Sequence, residues 1–421
     1  MAGQENRQSS DINPGVFYGY TVVVAAFCIM VASWGTGYAF GVFFKPVLTE
    51  FGWTRVMTSG AFSLSMVIQG LIGIVMGGLT DRLGPRIVLT LCGFLIGLGY
   101  VLMSQITAVW QLYLFYGVII GGGMSGIIVP LVSTVARWFT LRRGLMTGIV
   151  VAGIGIGVLF GPPAANWLIS TYDWRMSYLI LSGVVLVVIV LAAQFLKRDP
   201  AKMRQRPYGE NEGGRERLKL DIQGLSFREA VYTIQFWLVF AMFLCCGFCL
   251  FAVMIHIVPH VTDLGISAAT AANILAAIGA LSIVGKVVFG HVGDRIGSRQ
   301  VFVIGFVLMS ASLLWLISIK EVWMLYLFAV VFGLAYGSCY TSMPPLVTGL
   351  FGVRSLGLIF GVINTSLTTG CAIGPLVAGY IFDVTGSYQS AFLLSAIIAI
   401  VGLILTLVLR PVNLKQSELV T

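Results

Sequence analysis

Charge is what this sequence has least of. Only 16 of its 421 residues are Asp or Glu, 25 are Lys or Arg and 3 are His, so 10% are charged. A soluble globular chain carries about 25%. With 58% hydrophobic residues and a mean hydropathy of +0.97, this shortage excludes a soluble, disordered or collagenous chain. No loop of the G-x-x-x-x-G-K-[ST] kind is present, which argues against ATP-driven work. Gly153-x-Gly155-x-Gly157 follows no strand and reads as helix packing. Strict apolar-polar alternation is missing, which argues against a β-barrel. The seven cysteines (Cys28, Cys92, Cys245, Cys246, Cys249, Cys339 and Cys371) are odd in number and lie inside apolar runs. They read as small core residues, with no disulfide or metal role. The first 16 residues are polar and the apolar run from Phe17 is too long for a signal h-region, so no cleavable signal is expected.

Long apolar runs are what the sequence does have. They lie near 17–43, 57–78, 87–105, 110–136, 145–169, 177–196, 234–259, 267–289, 300–319, 323–348, 357–380 and 389–409. A helix crosses a bilayer with about 20 apolar residues, and twelve use roughly 240. The expectation is an all-α membrane protein of twelve helices in two six-helix bundles. Residues 1–16 form a polar tail, 17–196 the first bundle, 197–233 a hydrophilic linker, 234–410 the second bundle and 411–421 a second tail. Trp34, Trp110, Trp237 and Trp323 fall near span ends and fit an interfacial belt.

The excess of basic residues, a formal net charge of +9, follows sidedness. Twenty basic residues fall in the tails, the linker and the connections on the terminus-bearing side; Lys45, Arg55, Arg175 and Lys320 fall on the other. By the positive-inside rule both termini are cytoplasmic and the chain is a multi-pass protein of the cell membrane. The charge is a topology signal, and nucleic acid is not expected as a partner.

The halves repeat. Gly77-Gly78-Leu79-Thr80-Asp81-Arg82-Leu83-Gly84-Pro85-Arg86 recurs 213 residues later as Gly290-His291-Val292-Gly293-Asp294-Arg295-Ile296-Gly297-Ser298-Arg299. Gly157-x-x-x-Gly161-Pro162 recurs at the same offset as Gly370-x-x-x-Gly374-Pro375. One gapless offset shared by two distant motifs marks a duplicated unit. Parallel repeats flanking a midplane site suit alternating access. Asp81, Arg82, Asp294 and Arg295 read as turn residues between helices. Arg forks that pair carboxylates across a bundle seam make a gating latch.

The paired G-x-L-x-D-R-x-G-x-R loops resemble the cytoplasmic motif of the major facilitator superfamily, over essentially the whole chain. Arg137-Trp138-Phe139-Thr140-Leu141-Arg142-Arg143-Gly144-Leu145-Met146-Thr147-Gly148, continuing Ala152-Gly153-Ile154-Gly155-Ile156-Gly157, is similar to the helix-five signature of monocarboxylate porters. Gly41-Val42-Phe43-Phe44-Lys45-Pro46 and His256-Ile257-Val258-Pro259 are similar to further segments of that family, with oxalate:formate antiporters as cousins. The resemblance implies a secondary transporter, monomeric, without cofactor or enzymatic activity, moving a small organic anion such as lactate or pyruvate, with a proton. An organic-anion exchanger of the oxalate:formate type is the alternative. A substrate-sensing receptor is a third reading.

Twenty-four of the 25 basic residues belong to loops or helix ends; Lys286 alone sits within an apolar span, and no Asp or Glu does. A lone ammonium in the membrane calls for an anion, which a transported carboxylate supplies. Its repeat equivalent is Gly73, so the charge breaks the symmetry of the framework. The competing reading is a lysine snorkelling to the nearby membrane surface. By resemblance, the family holds its substrate carboxylate with an Arg at this position and often has an Asp where this chain has Ser282. Tyr340 matches a ligand-facing Tyr of the family, and Tyr336 shares its helix face. His256, four residues before His260, is a candidate proton or substrate contact, with helix packing as its alternative. Tyr38, Asn273 and Asn364 are polar within or near apolar spans, and Tyr116, Leu145 and Phe360 are candidates for shaping the cavity.

Overall fold

Inside lipid every backbone N–H and C=O must be bonded within its own segment, so apolar runs of this length fold as helices. The structure is a computed structural model that describes residues 17–139, 143–200, 208, 224–319, 321–352 and 355–410. Both expected tails and most of the linker lie outside the described residues. Among those described there is no strand, and twelve helices are long and apolar enough to cross a membrane. In the first bundle these are α1 (Tyr18–Phe51), α2 (Arg55–Leu83), α3 (Pro85–Met103), α4 (Val109–Trp138), α5 (Arg143–Thr171) and α6 (Trp174–Gln194). The second holds α7 (Ile234–Asp263), α8 (Ala268–Ile296), α9 (Ser298–Ile317), α10 (Val322–Phe351), α11 (Leu356–Thr385) and α12 (Gln389–Val408).

Several helices outrun their apolar cores. α1 passes a one-residue interruption at Ala39 and continues to Phe51, beyond the expected end near 43. This corrects the reading of Trp34 as an interfacial residue: it lies at mid-depth and its Nε1 is buried. Trp110, Trp237 and Trp323 are exposed. The D-R motifs are corrected as well. Arg82 and Arg295 occupy the last turns of α2 and α8, and Asp81 and Asp294 are helical. The reversals are made by Gly84 (φ +86°) and Gly297 (φ +91°), in a backbone region that favours glycine. A basic residue in a last helical turn also complements the negative end of the helix dipole. The side chains of Asp294 and Arg295 are exposed.

The repeat is realised as helix packing. Gly157 and Gly161 let α5 lie directly on α1: a Cβ on Gly161 would stand 2.2 Å from the carbonyl oxygen of Gly35. Their equivalents do the same for α11 on α7, where a Cβ on Gly370 would stand 2.2 Å from Leu244 O and one on Gly374 would stand 2.3 Å from Phe248 O. Without a hydrophobic drive between helices in lipid, such close backbone approach is the main packing device.

The bundles meet on the side away from the termini and part on the terminus-bearing side. At mid-depth Gly155 of α5 packs on Ile283 of α8, and Gly70 of α2 on Thr368 of α11. On the far side Gly41 packs on the carbonyls of Met254 and Ile255, and Gly379 on Ser59 and Arg55. Toward the termini Gly144 and Gly148 on α5, and Gly357 and Gly361 on α11, are exposed and have nothing near them. Their repeat-matched positions flank an opening on that side.

Gly161→Ala or Gly374→Ala drives a methyl group into a facing backbone carbonyl, and we expect each to destabilise by about 1–3 kcal/mol. Gly148→Ala and Gly361→Ala, from the same glycine rows, are expected to be near neutral. Melting temperatures of the four purified variants in detergent check the contrast.

Candidate functional site at the bundle interface

Lys286 lies on the face of α8 that carries Gly279 and Ile283, the residues packed against α5. It is one turn further toward the open side. Its Nζ is buried and has no hydrogen-bond partner among the described residues. What surrounds it is aromatic: Nζ stands 5.3 Å from the centroid of the Tyr336 ring and 5.8 Å from that of Tyr340. Both tyrosines are on α10, one turn apart, with their rings edge to face at 4.9 Å. They come this close because α8 and α10 meet at glycines; a Cβ on Gly337 would stand 2.6 Å from the backbone nitrogen of Lys286. Ring faces attract a cation, but they leave the ammonium N–H groups unsatisfied.

The tyrosines link Lys286 to the other bundle. The Tyr336 and Tyr38 hydroxyls are 3.2 Å apart. The Tyr38 ring stacks on Phe251 at 5.8 Å, and these two residues are equivalent under the 213-residue repeat. Beyond Tyr38 a small apolar chamber is lined by Trp34, Phe62, Met66, Gln69, Tyr116 and Phe251, among others. Trp34 Nε1 is also buried without a partner among the described residues. Tyr116 sits in a π-helical stretch of α4, Tyr113–Ile120, and its hydroxyl donates to Gly37 O at 3.3 Å.

Four predicted residues are thus brought together: Lys286, Tyr336, Tyr340 and Tyr38, with Tyr116 adjoining through the chamber. Asn364 also lies toward the interface, and Phe360, half-buried, precedes it by one turn of α11. Asn364 follows Gly361, which borders the opening, and precedes Thr368, which touches α2, at helical spacing. Leu145 is exposed and shares a face of α5 with Gly148 and Gly155.

Three candidates are placed elsewhere. Ser282 is fully buried between α8 and α10, and its hydroxyl donates to Gly279 O at 2.7 Å. Asn273 is exposed near the start of α8, about 20 Å along the helix from Lys286 at 1.5 Å per residue. His256 is fully buried in a far-side network, away from Lys286. Its Nε2 is 2.8 Å from Pro375 O and its Nδ1 is 2.8 Å from the Tyr388 hydroxyl. A carbonyl only accepts, so Nε2 carries the proton and Nδ1 accepts from Tyr388. Both ring nitrogens are engaged in holding helices together.

That network is the feature the sequence reading missed. The Arg55 guanidinium donates to Tyr388 Oη at 2.6 Å and to Asp263 Oδ2 at 2.6 Å, and lies 3.6 Å from the Phe382 ring centroid. Lys45 Nζ donates to the other oxygen, Asp263 Oδ1, at 3.0 Å. Asp383 accepts from the backbone nitrogens of Arg55 and Val56, at 2.9 and 2.7 Å, so a residue of α11 caps the first turn of α2. The clasp joins the bundles on the far side. A signal was present: the far-side residues Lys45 and Arg55 in the first half match Asp263 and Asp383 in the second.

The family model of the Major Facilitator Superfamily matches residues 22–285 and 251–421. Monocarboxylate transporter 13 of Rattus norvegicus is 26% identical over 387 residues, covering 91% of this chain and 87% of that protein. Monocarboxylate transporter 12 of Homo sapiens is 26% identical over 419 residues, covering 92% and 80%. Monocarboxylate transporter 11 of Homo sapiens is 27% identical over 401 residues, covering 91% and 81%. Among solved structures, a bacterial homolog of the human lysosomal transporter Spinster, in an inward-facing and occupied conformation, superposes with a TM-score of 0.76 at 14% identity, covering 94% of this chain and 97% of that one. A single family model running through both repeats, on a fold of two repeat-related six-helix bundles, leaves one conclusion: this chain belongs to the major facilitator superfamily.

Proposed function

We propose that the protein is a secondary transporter of small monocarboxylates that works by alternating access and carries one proton with each carboxylate. The observation that carries this reading is the buried, unpartnered ammonium of Lys286 at the bundle interface. A monocarboxylate neutralises it with a single charge, and the hydroxyls of Tyr336 and Tyr340 are on hand to donate to its oxygens. The similarity to monocarboxylate transporters supports the substrate class. A snorkelling lysine would carry its ammonium outward, whereas this one lies against two tyrosine rings. The basic-residue asymmetry makes the terminus-bearing side cytoplasmic, so the clasped side is the outer one and this conformation opens inward. The D-R motifs at the ends of α2 and α8 would close the inner side in the opposite state. Proton symport fits this reading because a carboxylate that crosses together with a proton carries no net charge through the low-dielectric membrane.

Lys286→Gln is expected to abolish uptake into proteoliposomes with membrane insertion intact, and Lys286→Arg to keep a fraction of it, because a guanidinium keeps the charge with a different geometry. Near-normal uptake by the Gln variant would return the residue to a structural role.

Asp294→Asn is expected to slow turnover several-fold with little change in substrate affinity, since it lies at the end of α8, away from the site. A steady-state split of maximal rate from KM decides it: loss of affinity at unchanged rate removes the gating role.

Uptake is expected to be electroneutral and faster when the outside is more acid. A substrate-induced current would replace symport by uniport. Uptake that ignores a pH gradient but requires internal anion would replace it by exchange.

A further inference from the structure

The outer clasp has a division of charge that a structural latch does not need. Both cations, Lys45 and Arg55, belong to the first bundle, and both carboxylates, Asp263 and Asp383, to the second. When the outer side opens, each charge leaves with its own bundle. Asp383 then releases two backbone N–H groups of a helix end, which water can satisfy. Asp263 leaves two side-chain cations facing the entry path with nothing to pair them.

The way Asp263 is held shows what those cations fit. One carboxylate receives Lys45 Nζ on Oδ1 at 3.0 Å and an Arg55 nitrogen on Oδ2 at 2.6 Å, so both oxygens are bound. The Arg55 side chain is only 11% exposed and lies flat against Phe382, whereas Lys45 is 43% exposed. Lys45 opens onto an outer cleft of about 480 Å³ whose other polar groups include Thr49, Asn166 and Glu50. Glu50 does not compete for Lys45, because its carboxylate is bound by Arg175 at 2.5 Å and by the Trp174 indole at 2.5 Å. The hydroxyl of Thr262 accepts from Lys45 at 3.3 Å.

We propose that Lys45 and Arg55 form an outer carboxylate site, distinct from Lys286, that first holds the incoming monocarboxylate and that Asp263 fills when the outer side closes. The proposal rests on the monocarboxylate-transport reading above. The side chain of Asp263 stands in for the carboxylate of the substrate: the two have the same charge and the same two acceptor oxygens. Closing the outer side therefore exchanges one carboxylate for another on the same pair of cations, and substrate is released toward Lys286 by the act of closure.

A clasp that only holds the bundles together and a site that also binds substrate differ in sign. If Lys45 and Asp263 only close the gate, removing either favours the outward-open form and shifts the outside KM the same way. If Lys45 also binds substrate while Asp263 competes with it, the two variants move in opposite directions. The test uses full-length protein in oriented proteoliposomes, with labelled lactate, pyruvate and benzoate as probes, and measures KM separately from the outer and inner faces. Lys45→Gln is expected to raise the outside KM about tenfold, the usual scale for losing one charge-assisted contact. Lys45→Arg is expected to restore most of the affinity, and Asp263→Asn to lower the outside KM. Monodisperse elution in detergent and retained uptake at saturating substrate report that these variants are folded. Outside KM values that fall together in Lys45→Gln and Asp263→Asn would overturn the outer site while leaving the central one untouched. Failure of the wild type to move any of the three probes, or indifference to Lys286→Gln, would instead overturn the transport reading on which the proposal rests.

Discussion

A bilayer neither solvates a charge nor supplies a counter-ion, and the placement of Lys286 turns on that constraint. Its ammonium is buried, faces two tyrosine rings and lacks a hydrogen-bond partner among the described residues. Cation–π contact at these distances contributes about 0.5–2 kcal/mol, less than a desolvated ammonium forfeits in lost hydrogen bonds. The arrangement is therefore poised rather than satisfied, and an anion at this point relieves it. The tyrosines also carry the strain across the molecule. Tyr336 meets Tyr38 of the other bundle at 3.2 Å, so a ligand that recruits the Tyr336 hydroxyl weakens a bond between bundles. Binding and relative bundle motion then share one contact, which is what a ligand needs if it is to bias two conformations.

The framework around this point is symmetric, and the chemistry is not. Glycines at matched positions set α5 on α1 and α11 on α7, and Tyr38 stacks on its own repeat equivalent, Phe251. The charged and hydrogen-bonding residues depart from the repeat: Lys286 answers to Gly73, His256 to Phe43 and Arg55 to Ala268. Duplication supplies two repeat-related bundles with a shared interface, the arrangement that the proposed alternating access requires. Divergence then places cations on that interface at two depths, one central and one outer.

These two parts differ in how legible they are from sequence. The twelve spans, the repeat and the family were readable because hydropathy in lipid is a strong constraint and because Gly157-x-x-x-Gly161 and Gly370-x-x-x-Gly374 share one offset with the D-R motifs. Lys286 was readable as a charge out of place, Tyr340 through the family resemblance, and Tyr336 because it shares a helix face with Tyr340. Trp34 was misread because the end of α1 was set by hydropathy, which stops near Lys45, whereas the helix runs on past Pro46. Ser282 was a substrate-binding candidate because the family often has an Asp at that position, but helical phase turns it toward α10, where Gly333 and Gly337 admit close packing. The clasp was not readable in the same way. Arg55, Asp263 and Asp383 come from three different helices and Tyr388 from the turn before a fourth, and each alone looks like an ordinary residue at a helix end. Long-range pairing is invisible to a rule that counts charges by side.

The same clasp bears on how the two sides alternate. Its charges balance, two cations against two carboxylates, so opening it moves no net charge and is opposed only by the separation of partners. On the opened side each partner meets water, which returns much of the lost interaction; a buried pair broken without solvent would be destabilising by about 3–5 kcal/mol. His256 extends the clasp inward by neutral hydrogen bonds, accepting from the Tyr388 hydroxyl and donating to the carbonyl of Pro375, which ties α7 and α11 to the start of α12. The cations of the first bundle therefore face a rigid carboxylate surface when closed and an open path when not. On the proposed reading, an anion meets positive charge on one wall at the entrance and at Lys286 in the centre, with no Asp or Glu within the apolar spans, so the electrostatic path runs inward in the order in which the gates must act.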